Sequence, residues 1–218
     1  MNTPFRTLLA AAVATALLAA APALVTAAPA PQAATAQAGS PSQLVNDNFS
    51  RILSTLQQRR AEFTADRGKL RAFISAEFNQ MFDRDYSARL VLGRHGRGAS
   101  DADVAAFADA LADSLMSRYG DSLLGFNSDF TVRIKGETPL RDGRMVRVAT
   151  ELERTGGEPI PVDYLMRQDG GQWKVFDVMV EGVSFVQTYR NQFDGPLNRG
   201  SIAQVTADLR AGRLQAGN

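Results

Sequence analysis

Beyond Asn127 the apolar residues change from helical spacing to period two, and they keep that period through four segments joined by tight turns. Phe130, Val132 and Ile134 alternate with Thr131, Arg133 and Lys135. After a Pro139–Gly143 turn, Val146, Val148, Thr150 and Leu152 alternate with Arg147, Ala149, Glu151 and Glu153. Gly156-Gly157 turns the chain again, into Val162, Tyr164, Met166 and Gln168 alternating with Asp163, Leu165 and Arg167. Asp169-Gly170-Gly171 tolerates the positive φ of a hairpin turn, and Trp173–Glu181 returns. Four consecutive strands on short connections can pair only as an antiparallel meander, here with one apolar and one charged face. The returning strand is apolar at nearly every position except Lys174 and Asp177. Such a strand is covered on both faces, or it covers something that is not protein.

The segments before the meander have the period of helices. Ser42 is placed to cap a helix running to about Phe63, with Leu44, Val45, Ile52, Leu53 and Leu56 as its stripe and Phe49 alongside. Asp66 opens a second helix carrying Leu70, Phe73, Ile74, Phe78 and Met81, and Asp83–Leu92 a third, stopped by Gly93. Ser100 with Asp103 approximates a capping box ahead of a slim helix with the stripe Val104, Phe107, Leu111 and Leu115, ended by Tyr119-Gly120. After the meander, Ser184 is placed to cap a helix and Ser201 to cap a last one, Ile202–Leu214. Helices that must cover the apolar face of one meander give an α+β domain: a curved antiparallel sheet wrapped by helices, residues 42–218.

Residues 1–27 have the form of an export signal. Arg6 is followed by an apolar run, Leu8–Leu24, broken only by Pro22, and Val25-Thr26-Ala27 offers small residues for cleavage near Ala27. Residues 28–41 are an Ala/Pro/Gln-rich leader with nothing to bury. With 0 cysteines, the domain has no disulfide or thiolate chemistry and no site for an N-terminal lipid. Of 24 Lys and Arg residues one is Arg6, against 23 Asp and Glu, so the processed protein is neutral. That balance excludes the basic stripe expected of a nucleic-acid binder.

No residue set assembles catalytic chemistry. His95, the 1 histidine, sits in Arg94-His95-Gly96-Arg97-Gly98 with no carboxylate beside it in sequence, and reads as a solvated loop side chain. Ser184 has Val186 where a nucleophile elbow needs glycine, and is better placed as a helix cap. Asp83/Asp85 and Asp101/Asp103 are the best carboxylate pairs for a metal, but both stand at helix starts, where they serve the dipole and the unpaired N–H groups. What remains is apolar surface: 12 phenylalanines spread over helices and sheet. Periodicity does not distinguish a filled core from a cavity lining.

Leu90-Val91-Leu92-Gly93, Tyr119-Gly120, Trp173–Val178 and Glu181–Ser184, followed by Tyr189-Arg190-Asn191-Gln192-Phe193, resemble the MlaC, or toluene-tolerance auxiliary, family over about Leu44 to Leu214. The glycine-rich, basic loop Arg94–Gly98 departs from the pattern. The resemblance implies a soluble periplasmic phospholipid carrier, not an enzyme, which takes phospholipid as cargo and needs no cofactor or metal. It implies exchange between an outer-membrane lipoprotein–porin complex and an inner-membrane MCE-domain ABC transporter, in support of outer-membrane lipid asymmetry. The helix-wrapped curved sheet itself resembles an NTF2-like cone, and the family resemblance implies an apolar ligand pocket between its helices and sheet. Alternation directs Val132, Ile134, Val146, Val148, Tyr164, Met166, Phe176 and Val178 of the sheet toward the helical cover, and these are the expected lining. Phe73, Phe107, Leu111 and Leu115 are the expected lining from the helices, so Leu111→Arg is expected to deplete lipid and spare the fold. Two other readings stay open: an enzyme of the NTF2-like kind acting on a small hydrophobic substrate through Asp177 with Tyr164, and a periplasmic adaptor with a filled core and no ligand.

Overall fold

The computed structural model describes residues 39–120, 130–141 and 143–216. The expected export signal and the leader as far as residue 38 lie outside the described residues. The first helix, α1, spans Pro41–Gln58 and is capped by Ser40, two residues ahead of the expected Ser42. Ser40 Oγ accepts the Gln43 N–H at 3.2 Å and Gln43 Oε1 accepts the Ser40 N–H at 3.1 Å, a reciprocal capping box. Pro41 at the first helical position needs no partner for an N–H it lacks, which favours this start over Ser42. The Ser42 N–H instead donates to Glu137 of the sheet at 2.8 Å.

The chain leaves α1 at Arg59, earlier than Phe63, and continues as α2 (Arg60–Ala65) and α3 (Arg67–Met81). Phe63 lies against Phe73 with ring centroids 5.6 Å apart, and with Leu56 and Leu70 it makes a small core joining the three helices. Next come α4 (Arg84–Leu92), a single 3₁₀ turn at Gly93–Gly96, and α5 (Asp101–Tyr119). Gly93 ends α4 at φ 55°, and a β-carbon there would meet Arg190 Nε at 2.8 Å, so both backbone and space require glycine.

The strands are β1 (Phe130–Leu140), β2 (Met145–Arg154), β3 (Ile160–Asp169), β4 (Gln172–Val180) and β5 (Val183–Ser184), paired antiparallel in chain order. The two-residue fifth strand was not expected: Glu181 and Gly182, at φ 51° and 81°, fold Val183 back onto Val180. Two helices follow, α6 (Phe185–Arg199) and α7 (Ile202–Arg210), the last four residues shorter than expected.

One face of the sheet carries Val146, Val148, Met166 and Val175, which bury against Val45 of α1 with Met81, Phe82 and Trp173 around them. On β1–β3 the other face is solvated and charged, with Arg133, Lys135, Glu151, Glu153, Arg147 and Asp163 paired across the strands. At β4 that second face is covered by α4 and α6. Register makes this possible: Leu165 pairs with Asp177 and Met166 with Val175, leaving Phe176 as the extra residue of a bulge. Val175 and Val178 consequently share the α1 face, whereas Phe176 meets Tyr86 of α4 edge-on, centroids 5.4 Å apart. The unbroken apolar character of β4 thus reflects protein cover on both faces. A second core, made by α4–α7 around Phe107, Leu111, Tyr189 and Phe193, lies within the helices.

Candidate functional site

The second half of α1 does not touch the sheet as closely as its first half. Between them lies an apolar cavity of about 230 Å³, lined by Phe49, Ile52, Leu53 and Leu56 of α1, Val132 of β1, Thr150 and Leu152 of β2, and Val162 and Tyr164 of β3. Cross-strand register explains the lining: Val132 faces Leu152, Thr150 faces Val162, and residues opposite one another share a face. Two polar groups enter it. Thr150 Oγ1 donates to the Val162 carbonyl at 2.7 Å and so presents its methyl group. The Tyr164 hydroxyl is pushed up to about 12 by burial, so the cavity holds no charge at neutral pH. A neutral, hydrocarbon-lined recess suits an acyl chain and offers nothing to an ion or a sugar.

Of the residues expected to form the lining, the structure brings Val132 and Tyr164 to the cavity. Val146, Val148 and Met166 are buried one or two strand positions away, beneath Val45, with Ile134 and Val178 beside them. Phe73 packs with Phe63 in the α1–α3 core. Phe107, Leu111 and Leu115 belong to the α4–α7 core, and Phe176 is turned to Tyr86 by its bulge. The α1 stripe was visible at helical spacing, but nothing local says that α1, rather than α5, lies across the open part of the sheet.

The polar candidates fall elsewhere. Asp177, only 6% exposed, accepts Ser184 Oγ at 2.5 Å and the Val186 N–H at 3.0 Å, and Ser184 accepts the Gln187 N–H at 3.0 Å. Both residues therefore hold the start of α6. Tyr164 pairs with Val178, so it and Asp177 point from opposite faces of the sheet and cannot act as an acid–base pair. His95 does find a carboxylate that sequence proximity did not reveal: its Nε2 is 3.3 Å from Asp194 Oδ1 on α6, with Arg94 on the same carboxylate. Asp194 is held below the usual carboxylate range, first by that hydrogen bond. Among the described residues no three His, Cys, Asp or Glu side chains gather as a metal site. A wider cleft of about 370 Å³ beside α4 is lined by Asp83, Arg84, Asp109, Asp169 and Lys174. Its charged groups already serve structure, Arg84 with Asp109 and Asn79, and Lys174 with the Gln80 carbonyl.

Fold and cavity together define a class, an α+β domain that keeps an apolar recess between a long helix and a curved antiparallel meander. The chain belongs to the MlaC family: the model described as "MlaC protein" matches residues 46–211. It is 26% identical over 183 residues to the toluene tolerance protein ttg2D of Pseudomonas putida, covering 83% of this chain and 84% of that one. It is 22% identical over 179 residues to the intermembrane phospholipid transport system binding protein MlaC of Haemophilus influenzae, covering 81% and 83%. A solved phospholipid-binding protein from Ralstonia solanacearum, in complex with a phospholipid, superposes with a TM-score of 0.68 at 22% identity, over 77% of this chain and 93% of that one. This last likeness concerns the fold.

Proposed function

We propose that this protein is a soluble periplasmic phospholipid carrier, with acyl chain held in the recess between α1 and β1–β3. The observation that carries the reading is the hydrocarbon lining of that recess, Phe49, Ile52, Leu53, Val132 and Leu152 among it, in a chain of the MlaC family. Each buried methylene contributes about 0.8 kcal/mol, so a lipid crosses water only if a protein keeps its chains enclosed. Export follows from residues 1–27 as a cleaved signal, and the partners are an outer-membrane lipoprotein–porin complex and an inner-membrane MCE-domain ABC transporter. Cargo passed between them serves outer-membrane lipid asymmetry. Native mass spectrometry of protein purified without detergent tests the central claim: a phospholipid-sized adduct is expected, and a bare mass under conditions that preserve the fold refutes it.

A further inference from the structure

The lining of the recess includes one side-chain hydrogen-bond donor that the protein does not use. Of its two polar side chains, Thr150 is satisfied by the Val162 carbonyl at 2.7 Å. Among the described residues the Tyr164 hydroxyl has no such partner, although its side chain forms part of the wall. Nor is that hydroxyl sealed inside the protein: among those residues, the side-chain polar atom that is both fully buried and unpartnered is Arg84 Nε, in the cleft beside α4. The cross-strand neighbours of Tyr164 are Val148 and Val178, both hydrocarbon, so a partner for the hydroxyl has to come from the recess. Burial pushes this hydroxyl up to about 12, so at neutral pH it keeps its proton and remains a donor. A hydrocarbon segment drawn across it would displace water and offer no acceptor in return, which costs free energy. A ligand of the recess therefore binds best with an acceptor at that point. Phosphate is poorly suited, because no cation lines the recess to meet its charge. The acyl ester carbonyl is neutral, a good acceptor, and attached directly to the chain.

We infer that Tyr164 is a specificity-determining residue of the carrier, its hydroxyl donating to an acyl ester carbonyl of the bound lipid and so fixing how deep the chain sits. The recess thereby selects lipids with ester-linked chains over those with ether-linked ones. The inference rests on the proposed carrier function, and the test separates the two.

Delipidated protein is reloaded from mixed micelles holding equal amounts of dipalmitoyl phosphatidylcholine and its di-O-hexadecyl ether analogue. After detergent removal, the bound ratio is read by mass spectrometry. The two lipids share headgroup and chain length, and Tyr164→Phe keeps the ring while removing the hydroxyl. Comparing the ratio between the two proteins cancels the difference in hydrophobicity between ester and ether. The ester-to-ether ratio is expected to be at least about fivefold higher in the wild type than in Tyr164→Phe, the net effect of one hydrogen bond between neutral groups. A second measurement needs no variant: with an isotope-labelled ester carbonyl, the infrared band of lipid bound to the wild type is expected below its position in hydrocarbon solvent. Equal ratios in the two folded proteins, or a wild-type band at the hydrocarbon position, overturn the Tyr164 contact and leave the carrier standing. A wild type that retains neither lipid overturns both.

Discussion

Leu53→Asp tests the recess most directly. Leu53 is half-buried on α1 and forms part of the wall opposite Val132, Leu152 and Val162. Each methylene held in the recess contributes about 0.8 kcal/mol, so every two of them account for roughly a decade of affinity. A carboxylate on that wall must lose its hydration when a chain enters and finds no cation among the lining residues, at a cost of a few kcal/mol. Retained phospholipid is therefore expected to fall about a hundredfold. The empty protein is affected far less, because a half-buried Asp can stay hydrated; a loss of about 1–2 kcal/mol lowers the melting temperature by roughly 2–8 °C in a domain of this size. The assay is quantitative lipid extraction from detergent-free protein, beside a circular dichroism melt, with Leu53→Met as the volume-conserving control. A folded Leu53→Asp protein with wild-type lipid content would refute the placement of the chain. Leu111→Arg supplies the contrast: Leu111 is 9% exposed within the α4–α7 core, so this substitution is expected to cost the fold before it costs the lipid.

Four further outcomes can be measured. Asp177→Ala strands the Val186 N–H and the Ser184 hydroxyl at the start of α6, and is expected to destabilise by about 2–4 kcal/mol in urea unfolding, with Asp177→Asn intermediate. Gly93→Ala places a methyl 2.8 Å from Arg190 Nε, and a double-mutant cycle with Arg190→Ala should recover the steric part of the loss while the positive-φ part remains. Burial raises Tyr164 and Tyr189 to about 12, above the ordinary value of 10.0. Both must stay neutral in the folded state, so their contribution is fully present below pH 10 and is lost as pH rises toward 12; an alkaline melt of Tyr164→Phe should show a weaker decline there. Finally, no charged side chain lines the recess, so the headgroup composition of co-purified lipid is expected to mirror the host membrane, and strong enrichment of one headgroup would contradict this.

The local architecture was legible because its causes are local. Alternation at residues 130–135, 146–153 and 162–168, with glycines at 156–157 and 170–171, specifies strands and turns without reference to anything distant. The same holds for the caps Asp83, Ser100, Ser184 and Ser201, whose hydroxyl or carboxylate satisfies an N–H three residues on. Ser40 displaced Ser42 through the same kind of rule, since Pro41 and Gln43 complete its capping box. Period counting failed at β4 because the bulge at Phe176 inserts a residue, and a bulge is defined against the partner strand.

The recess belonged to tertiary structure from the start. Leucine and valine exclude water equally well whether their neighbour is another side chain, a lipid chain or a gap, so Val148 in the core and Val132 on the cavity wall are written alike. The stripes of α1 and α5 likewise have the same helical period. What assigned α1 to the sheet and α5 to a separate helical core was the fit of whole elements, with Val45 in one buried cluster with Val148 and Phe107 edge-on to Phe193. The sequence by itself determined the elements, their order, and that one sheet face had to be covered by something apolar. Only the packed chain decided where that cover falls short, because a gap is the difference between shapes that lie far apart in sequence.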